Sequence, residues 1–254
     1  MQIKLYGLIG YPLEHSFSES YFKEKFLREG IKNYSYENME IPCLYDFIDS
    51  VKTDNYPNFE GFNVTMPYKE KIIPYLDVLD DIAKEIGAVN TVTIKRQNGI
   101  IILKGYNTDA IGFEQSLFEN LENNRIKALI LGTGGASKAV AYVLRKHNIE
   151  YSIISRQKRD KEGYLTYKEI NTSLLSSHKL IINATPLGMY PNIGEMPPID
   201  IQQITNQHIV FDLIYNPSQT LLLSNCQIKG AKIINGFDML CYQAQESWRI
   251  WNAN

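Results

Sequence analysis

The sequence predicts an α/β protein of two domains, and three observations carry that expectation. Short apolar strands alternate with helix-length segments through the second half. One of those strands runs straight into a glycine-rich turn and a helix. In the first half, two β-rich runs flank an Asn-Gly turn. At 254 residues the chain exceeds the usual one-domain size. Hydrophobic residues at 44% and charged residues at 21% are a globular balance and exclude a disordered or fibrous chain.

Ile3 to Ile9 reads as a short buried strand closed by Gly10-Tyr11-Pro12. Ser16 or Ser18 is placed to cap the next helix, where Phe17, Tyr21, Phe22 and Phe26 recur at helical spacing. A second strand fits Tyr34 to Met39, and a helix starts near Pro42, since proline is tolerated in a first turn. Gly61 to Val64 is a further strand, stopped by Met66-Pro67, and Asp77 to Ile86 a charged helical piece. Ala88 to Lys95 and Ile100 to Lys104, across Gln97-Asn98-Gly99, form a hairpin.

From about residue 108 the texture changes. Ile111, Phe113, Leu117 and Leu121 mark an amphipathic helix, then Ala128–Leu131 leads into Gly132-Thr133-Gly134-Gly135-Ala136 and a helix to about Lys146. Tyr151–Ile154, Lys179–Ile182, Ile209–Phe211 and Ala231–Ile234 are short apolar strands, so βαβ units and a mainly parallel sheet follow. From Gly236, one helical stripe carries Phe237, Leu240, Cys241, Ala244, Trp248 and Trp251. The domain boundary falls near residues 105–109.

A net charge of −2 and the lack of any long Lys/Arg cluster argue against a nucleic-acid partner. No stretch approaches the ~20 apolar residues of a membrane span. Cys43, Cys226 and Cys241 are odd in number and far apart, which points to a reducing compartment. With no apolar leader-like run after Met1, the expected location is the cytoplasm. His15, His147, His178 and His208 form no pair at ligand spacing, so no metal site is expected.

A strand, a glycine turn and a helix in that order are the context of a dinucleotide site. The first glycine permits a tight turn, the second lets backbone approach a pyrophosphate, and the helix N-terminus offers N–H groups to the anion. The third fingerprint position holds Ser137 instead of glycine. An NAD site places a carboxylate after the next strand, on the ribose hydroxyls. Here that strand ends in Ser155-Arg156-Gln157-Lys158-Arg159, with no carboxylate before Asp160. Arg156 can grip a 2′-phosphate that a carboxylate would repel, so the cluster favours NADP.

Several polar motifs sit at strand ends, where open α/β sheets place ligands. They are His15-Ser16-Phe17-Ser18, Asn63-Val64-Thr65-Met66-Pro67-Tyr68-Lys69, Gly87-Ala88-Val89-Asn90-Thr91, Asn107-Thr108-Asp109, Asn183-Ala184-Thr185, and Gly236 with Gln243-Ala244. In this order, over nearly the whole chain, they resemble the shikimate dehydrogenase family, whose members reduce 3-dehydroshikimate with NADPH. The resemblance implies a substrate domain over residues 1–107, with the C-terminal helix 236–254 packing back on it, and a Rossmann-type NADP domain over 108–235.

The resemblance also implies roles for residues. Ser16 and Ser18 match a hydroxyl pair that clamps the substrate carboxylate. Thr65, Asn90, Asp109 and Gln243 match side chains that bond the ring hydroxyls, and Lys69, with Asp109, the catalytic pair. Asp81 falls where the family often has an acidic cofactor contact. Gly132, Thr133, Gly134, Gly135 and Ala136 match the diphosphate loop, Arg156 the adenosine-phosphate contact, and Thr185 a strand end beside the cofactor. Leu213 and Tyr215 lie in the D-L-x-Y segment beside nicotinamide and substrate, and Gly236 opens the last helix. Two departures stand out: Tyr106-Asn107-Thr108-Asp109-Ala110 replaces D-N-T-D-G, and Ser155-Arg156-Gln157 replaces Asn-Arg-Thr.

A hydride delivered to a ring ketone builds negative charge on oxygen. A lysine ammonium beside an aspartate supplies charge and proton, help of the general-acid kind worth ~10²–10⁴-fold. The expected partners are small molecules, with the chain a monomer or homodimer. Two other readings stay open: an NAD-using quinate/shikimate dehydrogenase, and a non-catalytic shikimate-binding regulator.

Overall fold

The computed structural model describes residues 3–13, 17–122 and 125–253. The chain divides into two compact units, Met1–Thr108 with Ala244–Asn254, and Asp109–Gln243.

The first unit runs β1 (Lys4–Gly10), α1 (Ser18–Arg28), β2 (Tyr34–Glu40), α2 (Leu44–Lys52), β3 (Phe59–Val64), β4 (Val78–Leu79), α3 (Asp81–Ile86), β5 (Thr91–Gln97) and β6 (Ile100–Tyr106). Its sheet has the order β2-β1-β3-β5-β6-β4. Parallel pairs join β1 to β2 and β3, while β5 runs antiparallel to β3 and β6. Asn98 at φ 53° and Gly99 at φ 76° turn the hairpin, the two positive values that a type I′ turn requires. Alternation along β1 sends Leu5 and Ile9 to a core with Phe47, Phe59 and Phe62. It sends Tyr6 and Leu8 to a second core with Phe22, Phe26 and Tyr36, completed by Trp248 and Trp251.

The second unit runs α4 (Asp109–Phe118), β7 (Ala128–Leu131), α5 (Gly135–Lys146), β8 (Tyr151–Ser155), β9 (Tyr164–Thr166), α6 (Thr172–Ser177), β10 (Leu180–Asn183), β11 (Ile209–Asp212), α7 (Leu221–Ile228) and β12 (Lys232–Ile234). Its six strands are all parallel in the order β12-β11-β10-β7-β8-β9. That is the doubly wound Rossmann order, with its switch point between β7 and β10. The central strands have no polar alternation because both their faces are covered: Ala128 to Leu131 and Leu180 to Ile182 are each 0% exposed.

The last helix, α8 (Phe237–Asn252), crosses the division between the units. Its residues up to Gln243 cluster with the second unit, where the Tyr242 hydroxyl donates to Glu119 at 2.6 Å. The whole-helix assignment of 236–254 to the first domain therefore differs from the compact units by about two turns of helix.

Several expected elements shift. Asp77 is not helical: its carboxylate accepts from Leu103 N at 2.8 Å and pairs with Lys52, so the chain first adds β4 to the sheet. The helix starts only after Asp80, whose side chain accepts from Ile82 N at 3.1 Å as N-cap. The helix expected near Pro42 begins at Leu44, with Cys43 at the N-cap position. Strand β5 begins at Thr91 and not at Ala88, because the Val89 N–H is taken by Lys69 O and the Ala88 carbonyl by the Asn107 side chain, both outside the sheet ladder. Leu121 lies past the end of α4, and Phe237 on the last helix is 43% exposed. Strand β9 and the Asn171-capped α6 carry too few apolar residues to be legible in advance.

Candidate active site

In the first unit, Ser18 is the opening residue of α1, and the N-cap position falls on Phe17 with no side-chain cap bond, so Ser18 is no cap. Its hydroxyl hydrogen-bonds Tyr36 instead. Ser16 and His15 lie outside the described residues. Burial pushes the Tyr36 hydroxyl far up, which keeps it protonated as the donor to Asn63 Oδ1 at 2.8 Å. Thr65 and Lys69 follow β3 in a tight turn: Tyr68 N donates to Thr65 O at 2.9 Å, and Val89 N to Lys69 O at 2.7 Å. That last bond ties the lysine segment to the segment bearing Asn90.

Asn90 is 2% exposed and bonded to its neighbours. Its Oδ1 accepts from Thr108 N at 2.7 Å, and its Nδ2 donates to Thr108 Oγ1 at 2.9 Å. Asn107 Nδ2 donates to Ala88 O at 2.9 Å, so the Asn107-Thr108 segment is clamped directly before Asp109. Asp109 opens α4 and is 2% exposed, in the other unit. Asp81 sits exposed in the first turn of α3 and takes no part in this network.

In the second unit, Gly132 holds φ 111°, a left-handed value that glycine adopts without strain. Ser137, at the unexpected fingerprint position, is 1% exposed and donates to Gly132 O at 2.7 Å, so it closes the turn with a hydrogen bond. Gly134 is the N-cap of α5, and a Cβ there would meet nothing within 4 Å. Gly135 and Ala136 open that helix, whose first turn has no acidic side chain. Its N–H groups and positive dipole end are therefore available to an anion. Arg156 lies exposed beyond β8, near Tyr167. Arg159, until now only a member of the basic cluster, donates to Thr133 Oγ1 at 3.1 Å and so reaches the glycine turn itself.

Across the switch point, Thr185 donates from N and Oγ1 to Asn183 Oδ1 at 3.0 and 2.7 Å. Asn183 Nδ2 donates to Asp212 Oδ1 at 3.0 Å, and Thr220 Oγ1 to Asp212 Oδ2 at 2.7 Å. Burial pushes the Asp212 carboxyl up to about 6 against the pull of these donors. A Cβ at Gly236 would stand 2.0 Å from Leu213 O, so only glycine lets the last helix start against Leu213. Leu213 and Gly236, just past the ends of the neighbouring strands β11 and β12, are thus held together, with Tyr215 two residues after Leu213, and Gln243 is half-buried two turns along α8.

Sequence reasoning missed Asn63, Asn183 and Asp212 as organising residues, although each stands inside a motif it singled out. Tyr36 and Ser247, which also join these networks, carried no signal. Among the described residues, no group of three His, Cys, Asp or Glu side chains is placed to hold a metal, and no helix is long and apolar enough to cross a membrane.

Comparison with known proteins gives consistent matches. Residues 8–92 match the shikimate dehydrogenase substrate binding domain. The chain is 39% identical to shikimate dehydrogenase (NADP(+)) of Methanococcus vannielii, over 98% of this chain and 91% of that protein. Among solved structures, it resembles a shikimate dehydrogenase in complex with NADP+ at 35% identity and TM-score 0.83, covering 98% of this chain and 90% of that one. It also resembles shikimate 5-dehydrogenase of Thermus thermophilus in complex with NADP(H) and shikimate, at 29% identity and TM-score 0.84, covering 98% and 94%.

Proposed function

The chain belongs to the shikimate dehydrogenase family, and on that premise we propose that it reversibly reduces 3-dehydroshikimate to shikimate with NADPH, in the route to aromatic amino acids. The observation that carries this reading is the bond from Val89 N to Lys69 O at 2.7 Å, which ties the lysine segment to the segment bearing Asn90. A proton donor and a hydroxyl reader are thereby held on one frame.

The second unit fits the dinucleotide. The open space at Gly134, the uncapped start of α5 and the left-handed Gly132 make a cradle for a diphosphate. Gly132, Thr133, Gly134, Gly135 and Ala136 would hold it, with Arg156 on the 2′-phosphate and Thr185, Leu213 and Gly236 lining the strand ends. Asp81 is the remaining cofactor residue of this reading. When bound, the cofactor supplies the hydride.

The chain's own residues do the rest. Ser16 and Ser18 hold the substrate carboxylate, and Thr65, Asn90, Tyr215 and Gln243 orient the ring through its hydroxyls. Lys69 gives its proton to the oxygen on which charge develops, and Asp109 accepts from the neighbouring hydroxyl and keeps it oriented. Residues 1–107 with 236–254 then act as the substrate domain, 108–235 as the NADP domain, in a cytoplasmic protein.

A spectrophotometric assay tests the reading. Shikimate is expected to drive reduction of NADP+, with NAD+ and quinate run as parallel arms. Turnover with NAD+ and quinate alone would transfer the assignment to a quinate dehydrogenase, and binding without turnover to a regulator.

A further inference from the structure

Ser247 stands on α8 in line with Leu240, Ala244 and Trp251, positions that sequence pattern reserves for apolar residues. It is 0% exposed. A hydroxyl there is costly unless it is bonded, and this one has three partners: Thr91 Oγ1 at 2.8 Å, Asn63 Nδ2 at 3.0 Å and Thr108 Oγ1 at 3.2 Å.

Two of those partners hold Asn90. The hydroxyls of Thr108 and Thr91 lie 3.2 and 3.3 Å from Asn90 Oδ1, and Asn90 Nδ2 donates to the same Thr108 hydroxyl at 2.9 Å. The third, Asn63, bonds Asn90 O at 3.1 Å and continues through Tyr36 to Ser18. A single hydroxyl from the C-terminal helix therefore sits where three elements that carry substrate-reading residues converge. All of these residues belong to the first unit.

We infer that Ser247 is a positioning residue that fixes the rotamer of the Asn90 carboxamide through Thr91 and Thr108. The inference rests on the proposed shikimate reaction. In a Ser247→Ala chain, both threonine hydroxyls and the Asn63 amide each lose a partner, and the Asn90 amide, still bonded to Thr108 N, loses the group that fixes the hydroxyls around it. The hydride step keeps its own groups, so the loss should appear in substrate recognition.

Steady-state kinetics of wild type, Ser247→Ala, Asn90→Ala and the double variant test this. Ser247→Ala should raise the shikimate KM about tenfold, the effect of one buried hydrogen bond lost. Its kcat should stay within about threefold and its NADP+ KM should not move, the signature of lost substrate orientation. The double variant should show a KM no higher than Asn90→Ala alone, because the serine acts through the asparagine. Ser247→Cys, which keeps the size with a weaker hydrogen-bonding group, should fall between, and it carries the test if the alanine variant does not fold. An unchanged shikimate KM, or losses that add in the double variant, would overturn the positioning role. Absence of shikimate turnover in the wild type would overturn the proposed reaction, and this inference with it.

Discussion

Lys69 stands on a turn whose backbone is bonded to Val89, so removing its side chain should leave that frame in place. Lys69→Ala is expected to lower kcat by ~10²–10⁴-fold and to leave the shikimate KM within a few-fold, because a proton donor works chiefly in the transition state. A kcat loss below about fivefold in the same assay would reassign the acid to another group. Arg156 and Arg159 divide the basic cluster differently from what the sequence order suggests. Arg156 is exposed beyond β8, while Arg159 bonds Thr133 in the glycine turn. Arg156→Ala should weaken NADP+ binding about 10- to 150-fold, the range of one charge-assisted contact, and leave NAD+ binding nearly unchanged. Titrating both cofactors decides it: equal losses for the two would mean that the arginine supports the fold.

At the scale of elements, the strand ends of the second unit hang on one carboxylate. Asp212 joins β10 through Asn183, the segment leaving its own strand through Ile214 N, and the start of α7 through Thr220. Burial raises its carboxyl from 3.8 to about 6. The native state thus holds a proton that the unfolded chain has already released over that window, and stability falls as pH rises through it. The full effect is on the order of 3 kcal/mol. Asp212→Asn removes the titration, so wild type should lose stability relative to the variant between about pH 4 and pH 6. Denaturant melts across that range check the sign, and a flat difference would place the carboxyl at its ordinary value. A smaller effect belongs to the cap of α3: Asp80→Ala should cost about 1 kcal/mol, measured by the same melts.

For the whole molecule, the second core of the first unit depends on the chain's last helix. Trp251 packs on Tyr6 with ring centroids 4.6 Å apart and donates from Nε1 to Val92 O at 3.0 Å. Trp251→Ala should destabilise the first unit by about 3 kcal/mol, read from the fluorescence of the remaining Trp248. NADP+ affinity should change by less than about twofold, since the dinucleotide cradle lies in the other unit. A matching loss in NADP+ affinity would show that the two units do not respond separately.

The sequence by itself determined the fold class, because the period of its apolar runs and its turn residues are local signals. Ala128 to Leu131 followed by four residues rich in glycine reads as strand and turn without a structure, and Asn98-Gly99 as a hairpin. Its ordered polar motifs also nominated the residues of the candidate site. What only the tertiary structure decided is how those residues are held. Tyr36 and Ser247 lie 211 residues apart with no local pattern to mark either, and their hydroxyls acquire a task only when β2, β3, β5 and α8 meet at Asn63. Ser137 reads as a flaw in the fingerprint until its bond to Gly132 O is seen, and Asp212 as an ordinary strand-end acid until burial sets its charge. Periodicity is written along the chain, whereas a hydrogen-bond partner or a desolvated carboxyl is created by residues distant in sequence, and no local pattern records it.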